Sequence, residues 1–182
     1  YGRDLFSRVL LGVRVSLSIG FMAVFISNLI GIILGLVSGY YGGYLDKIIV
    51  WIINVFWSIP TLLLVIALSL VLGKGFWQVY IAIGLSIWVD VARLVRGKVM
   101  SEKNKDYVFA SKVLGYGDFK ILLNNILPNI LAPILILSAA NFASSILLES
   151  GLSFLGIGSQ PPTPSWGSVS YTHLRAHETR PY

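Results

Sequence analysis

Few residues in this chain could do covalent or metal chemistry. His173 and His177 are its two histidines. Their H-x3-H spacing would put both imidazoles on one face of a helix, as in a metal site. There is no cysteine, hence no disulfide, thiolate metal site or cysteine nucleophile. Eight carboxylates are spread over 182 residues. Asp90 and Arg93 stand three apart, and Glu149 lies near the end of a long apolar run. No GxxxxGK[ST] phosphate-binding loop occurs, so any nucleotide chemistry belongs to another chain. The segment with the strongest claim to a function is Ser101–Gly117. Tyr107, Val108, Ser111 and Leu114, with the small Ala110, make an apolar-to-small face at three- and four-residue steps, which predicts a short helix. Gly115 and Gly117 supply stop signals, and Asp118 is placed to cap the next helix. A helix with such a face must bury it, either against its own loop or in a groove on a partner.

The elements that hold this helix follow from composition. The chain is 55% hydrophobic and 12% charged, where a soluble domain carries about 25% charge. An ordinary soluble enzyme, a disordered tail and a nucleic-acid binder are excluded, and the bilayer is indicated. Fourteen basic against eight acidic residues give +6, which in so apolar a chain reflects basic loops on the cytoplasmic side.

Three runs carry no charge: Val15–Leu45, Ile48–Gly73 and Ile121–Leu148. A shorter one, Gly75–Val89, spans only if extended to about Leu94. We therefore expect an all-α, polytopic transmembrane bundle with four spans, Ser16–Tyr40, Ile49–Leu72, Val79–Leu94 and Ile121–Leu148. The basic stretch within Arg93–Lys120 belongs in the cytoplasm, with residues 95–120 as the loop. Lys74 then faces outside. Residues 1–14 share that side despite Arg3, Arg8 and Arg14, and are expected to lie along the interface.

Within the spans, Ser27, Gly31, Gly35 and Gly39 place a small residue at every fourth position, which lets two helix backbones approach closely. Pro60 is expected to kink the second span. Asn124, Asn125 and Asn129 read most simply as residues at the cytoplasmic interface. Asn141, deeper in, is the candidate for a polar path. Asp90 with Arg93 could gate, but reads more simply as a pair that neutralises itself at the interface. Glu149 is equally ambiguous.

Val169–Thr179 breaks with all of this. It is polar, has no apolar period, and resembles the translation of a transposase adapter from sequencing-library preparation. We treat residues 169–182 as an artefactual tail outside the fold. Without it the charge is 12 basic against 7 acidic residues, +5, and no histidine remains. The metal reading of His173 and His177 then lapses.

Ala110-Ser111-x3-Gly115, followed by Ile126-Leu127-Pro128, resembles the EAA loop of the permease subunits of ABC importers. Further motifs resemble one branch, the dipeptide/oligopeptide/nickel permease family on the side of its second, C-type permease. These are Gly2-Arg3-Asp4, Gly39-Tyr40-Tyr41-Gly42-Gly43, Ala92-Arg93-Leu94-Val95-Arg96-Gly97, Ile126-Leu127-Pro128-Asn129, Gly151-Leu152-Ser153-Phe154-Leu155-Gly156 and Gln160-Pro161-Pro162-Thr163-Pro164-Ser165-Trp166-Gly167. The likeness covers about residues 2–168. It departs at Phe109, where the family usually has Glu, and at Ser111, where it has Ala. The family typically has six spans, so four here read as a fragment lacking the first and last.

The resemblance implies a type I ABC importer permease domain over residues 15–168, in the cell membrane. The partners it implies are a second permease, two ATPase subunits and an extracytoplasmic substrate-binding protein. ATP and Mg would sit on the ATPase, with no cofactor in this chain. Tyr107, Phe109, Ala110, Ser111, Leu114 and Gly115 would dock the ATPase. Peptides are the implied cargo, with nickel or another small solute as the alternative. A channel or secondary transporter would favour more mid-bilayer charge. A membrane enzyme would need a catalytic constellation that is not visible.

Overall fold

The computed structural model describes residues 5–73, 76–158 and 166. Among them are helices and no strand. In chain order these are α1 (Leu5–Tyr41), α2 (Gly43–Trp57), α3 (Thr61–Leu72), α4 (Phe76–Glu102), α5 (Asp106–Val113) and α6 (Asp118–Phe154). The first turn of α6, Asp118–Lys120, leads through a π-helical stretch, Ile121–Ile126, into regular helix. Three stretches are long and apolar enough to cross a membrane: Gly12–Tyr41, Trp77–Glu102 and Asp118–Phe154. They become four if α2 and α3 count as one broken span.

Several boundaries differ from those read in the sequence, each for a local reason. Residues expected to lie apart from the first span form its opening turns, since α1 runs unbroken from Leu5. The second span is broken outright rather than kinked. Ser58 Oγ donates to Val55 O at 2.7 Å, the Ser58 amide to Asn54 O at 3.0 Å, and Ile59, preceding Pro60, is disfavoured in helix. The third span does not stop at Leu94. Val91, Val95 and Val99 keep a buried period of four, which carries α4 through the charged residues to Glu102. Residues 95–102 of the expected loop are therefore the end of α4, and α5 is only eight residues long. Asp118 caps nothing: Gly117 is the cap residue and makes no side-chain cap bond. Arg93 lies with its guanidinium 3.9 Å from the centroid of the Trp57 ring. Among the described residues the ion pairs are Asp46–Arg96 and Glu102–Lys105, not Asp90–Arg93.

The helices fall into two compact units. The first takes the described residues within Tyr1–Phe25, Thr61–Ser86 and Asn141–Tyr182. Its interior holds Ile19, Ala23, Val65, Val79, Ile83 and Leu152. Gly20 lies against Phe142 and Ile146. Glu149 is fully buried, and Ser153 Oγ donates to its carboxylate at 2.7 Å. Asn141 is buried, and its Nδ2 has no hydrogen-bond partner among the described residues.

The second unit takes Ile26–Pro60 and Ile87–Ala140. Between helices in lipid the attraction is van der Waals contact rather than escape from water, so close approach decides it. The stripe on α1 meets α4 at four-residue intervals. A Cβ on Gly31 would sit 2.6 Å from Val91 Cβ, one on Gly35 2.6 Å from Val95 Cβ, and one on Gly39 2.8 Å from Val99 Cβ and from Arg96 O. Ser27, the fourth member, is fully buried, and its Oγ has no hydrogen-bond partner among the described residues. This unit holds two apolar clusters, the first of which includes the seam valines. One is Leu36 with Val91, Val95, Val99, Val108, Ile121, Ile126, Ile130 and Ile134. The other is Ile49, Ile53, Trp88, Val89 and Ala92. Phe56 meets Trp88 edge-on at 5.5 Å between ring centroids. Asn28 Nδ2 donates to Ser138 Oγ at 2.8 Å, satisfying two polar groups where water is absent.

Candidate functional site: the loop helix and its seat

The polar link between α4 and α6 is short and highly bonded. Glu102 closes α4 and accepts from Lys105 Nζ and from Tyr107 Oη, both at 2.7 Å. Burial and that carboxylate raise the Tyr107 phenol above its ordinary range. Lys105, in extended conformation, turns the chain; its carbonyl accepts the Val108 and Phe109 amides at 3.0 and 3.3 Å. Asp106 sits in the first turn of α5 and Lys112 in the last, each on the side the helix dipole favours.

The end of α5 is set by Gly115. The Gly115 amide bonds Lys112 O at 3.0 Å and the Tyr116 amide bonds Ser111 O at 3.1 Å. This is the double closure of a helix that finishes on a left-handed residue, and Gly115 has φ 79°. A Cβ there would meet nothing within 4 Å among the described residues. The requirement for glycine is thus conformational.

The six residues marked in the sequence as a docking surface separate into two sets. Ser111 turns inward, together with Val108, which was not among the six. Val108 joins the cluster under α6, and Ser111 Oγ donates to Tyr107 O at 2.8 Å and accepts from Asn125 Nδ2. Tyr107 is half-buried beside them. Phe109 (51% exposed), Ala110, Leu114 (71%) and Gly115 face outward, joined by Val113 (87%) and Phe119 (74%). Packing against the loop's own surroundings therefore accounts for one face of α5, while the other is an uncovered apolar flank. Asn125 and Asn129 serve the seat: Asn129 Nδ2 donates to Asn125 O at 2.7 Å. Of the stripe Ser27, Gly31, Gly35 and Gly39, the last reaches this loop, its carbonyl accepting from Lys103 Nζ at 2.8 Å.

Sequence reasoning missed the charged seat below it. Asp46 accepts from Arg96 Nε at 2.6 Å and Nη2 at 2.7 Å, a two-pronged pair, and also from Ser38 Oγ. Lys103 Nζ reaches back to Gly39 O at 2.8 Å and Tyr40 O at 3.4 Å, the bare carbonyls that end α1. The available signal was Asp46 itself, one of two charges separating the first two apolar runs. His173, His177 and the expected tail at 169–182 lie outside the described residues. So do Gly2-Arg3-Asp4, Lys74 and all of the Gln160–Gly167 motif except Trp166.

Comparison with known proteins places this geometry. Residues 31–172 match the family described as binding-protein-dependent transport system inner membrane component. The chain is 45% identical over 169 residues to the dipeptide transport system permease protein DppC of Bacillus subtilis, covering 93% of this chain and 53% of that protein. It is 39% identical to the oligopeptide transport system permease protein OppC of the same organism, covering 96% and 57%. It is 43% identical to the glutathione transport system permease protein GsiD of Escherichia coli, covering 92% and 55%. The chain thus spans about half the length of the curated relatives it matches. In fold it is similar to a chain of the MetNI methionine ABC transporter in inward-facing form. The TM-score is 0.70 at 18% identity, covering 97% of this chain and 83% of that one. With its apolar helices and a family match over most of its length, the chain belongs to the binding-protein-dependent transport system inner membrane components and is a multi-pass inner-membrane protein.

Proposed function

We propose that this chain forms part of the transmembrane path of an ATP-driven importer of di- or oligopeptides, and that α5 couples the path to a separate ATPase. The observation that carries the coupling is the divided α5. One face is anchored to Asn125 and the core, and the other presents Phe109, Val113 and Leu114 uncovered beside lysines. A helix held firmly on one side and bare on the other suits a rigid handle in a partner's groove. The peptide cargo rests on three relatives that are dipeptide, oligopeptide and glutathione transport system permeases.

In this reading the complete transporter has a second permease, two ATPase subunits and an external binding protein. ATP and Mg2+ are held by the ATPase. Nucleotide binding moves the docked helix as a near-rigid body, and the bundle changes the side to which it opens. Phe109 and Leu114 supply the exposed apolar area that a groove would bury. Gly115 lets the chain turn away at once from the contact. The test is Gly115→Asp in the transporter reconstituted with its ATPase and binding protein. We expect normal insertion and assembly with ATP hydrolysis uncoupled from uptake. Uptake at the parent rate would refute the docking role. Binding of labelled dipeptides to the partner binding protein tests the cargo separately.

A further inference from the structure

The loop carrying α5 is tied by the chain to α4 and α6, yet several of its polar contacts go to a third helix. Tyr40 Oη donates to Asp118 Oδ1 at 2.7 Å, across 78 residues of sequence. Lys112 Nζ lies 5.5 Å from the centroid of the Tyr40 ring, within cation–π range. Lys103 Nζ holds the Gly39 and Tyr40 carbonyls. Below these, Gly39 is pressed on Val99 and Arg96 O, and Ser38 donates to the Asp46 carboxylate that pairs with Arg96. Gly42 and Gly43 both have positive φ, 66° and 58°. The chain therefore reverses into α2 directly after Tyr41, and the end of α1 stays under the loop.

We propose that the Gly39–Gly43 segment is a clamp that receives the motion of the loop, with Tyr40 and Lys103 as positioning residues. Motion of α5 passes to α1 and α2 through Tyr40–Asp118 and Lys103, in parallel with the covalent routes through α4 and α6. The proposal rests on the docking reading of α5. Its physical basis is that three side chains from the loop region converge on one helix end, whereas a loop held only by its two flanking helices would leave that end to water. A hydroxyl donating to a fixed acceptor oxygen is directional, so it fixes position and not merely proximity.

The chain has no cysteine, which makes a distance test direct. Nitroxide labels are placed at Tyr44→Cys and Tyr116→Cys, both exposed positions, in the transporter assembled with its ATPase. Distances are measured by double electron–electron resonance with and without a non-hydrolysable ATP analogue. In the parent the two labels move as one body and their separation holds. In Tyr40→Phe, which removes one oxygen, nucleotide shifts the separation by about 2 Å or broadens it, the scale of helix shifts in switching proteins. Asp118→Ala behaves like Tyr40→Phe. Asp118→Asn, which keeps an acceptor oxygen, behaves like the parent; a role in folding alone would not produce this nucleotide-dependent rescue. A separation that changes in the parent, or that holds in both Tyr40→Phe and Asp118→Ala, would overturn the clamp. The spectrum of the Tyr116→Cys label alone reports docking. If the ATPase leaves it unchanged, the docking reading falls and the clamp with it.

Discussion

Replacing Gly35 by Ala tests the seam between α1 and α4 most sharply. The new methyl would stand 2.6 Å from Val95 Cβ and 2.8 Å from Ala92 O. One neighbour is a branched carbon fixed to its helix and the other is backbone, so neither can swing aside. Bringing the closer contact to an ordinary 3.4 Å means parting the helices by 0.8 Å (3.4 − 2.6) at that turn. Contacts at Gly31–Val91 and Gly39–Val99, one turn either side, loosen with it. Overpacking of this kind costs about 1–3 kcal/mol. Alanine is also the better helix former by about 1 kcal/mol, which would blur the result if read alone. Gly97 removes that ambiguity, because it lies on α4 and its Cβ would meet nothing within 4 Å. Gly97→Ala gains the same helix propensity without the clash. The difference between the two variants is then the overpacking cost itself, about 1–3 kcal/mol. Reversible unfolding in mixed detergent micelles, followed by circular dichroism, measures it. Equal midpoints for the two variants would show that α1 and α4 do not meet along this stripe.

The Asp46–Arg96 pair is two-pronged and its side chains are only 19% and 29% exposed. Asp46→Asn and Arg96→Ala should each destabilise. A double-mutant cycle by the same unfolding assay should return a coupling of about 1 kcal/mol; simple additivity would show the pair to be idle. Tyr107 has its phenol raised by burial and by Glu102. A group held protonated in the fold contributes fully below its ordinary value of about 10 and loses that contribution as pH rises through the raised one. Loop stability should therefore be flat through neutral pH and decline only in strong alkali. Tyr107→Phe should lessen that decline, and a difference titration of tyrosinate absorbance checks it. Asn125→Ala should free the inner face of α5 by removing its donor to Ser111, seen as faster amide hydrogen exchange in Asp106–Val113 with little change elsewhere.

What could be read in advance follows from the reach of each force. Apolar runs mark the spans because a charge in hydrocarbon is costly whatever its neighbours, so Val15–Leu45 and Ile121–Leu148 speak for themselves. The stripe from Ser27 to Gly39 shows a close approach but not its partner; Val91, Val95 and Val99 share the same period, which the charges of Arg93–Glu102 hid. The extension of α4 past Leu94 was missed for that reason. Pro60 announced a disturbance, yet whether a helix kinks or ends there depended on Ser58 turning its hydroxyl onto Val55. The loop helix was legible from Tyr107, Val108, Ser111 and Gly115. Which flank lay open was not, since Asn125 had to come from the next helix to claim Ser111. Tyr40 and Asp118 had no local signal at all, because only the folded backbone brings them together.

The π-helical stretch Ile121–Ile126 has a consequence of its own. There the Leu127 amide reaches back to Leu122 O, five residues rather than four. One surplus residue turns everything on one side of it by about 100° relative to an uninterrupted spiral. It works as a phase shifter in the shaft, aiming Asp118 and the handle above it independently of the register that Ile130 and Ile134 need below. Deleting a single residue between Leu122 and Asn125 would leave a straighter, more regular rod and a handle pointing the wrong way.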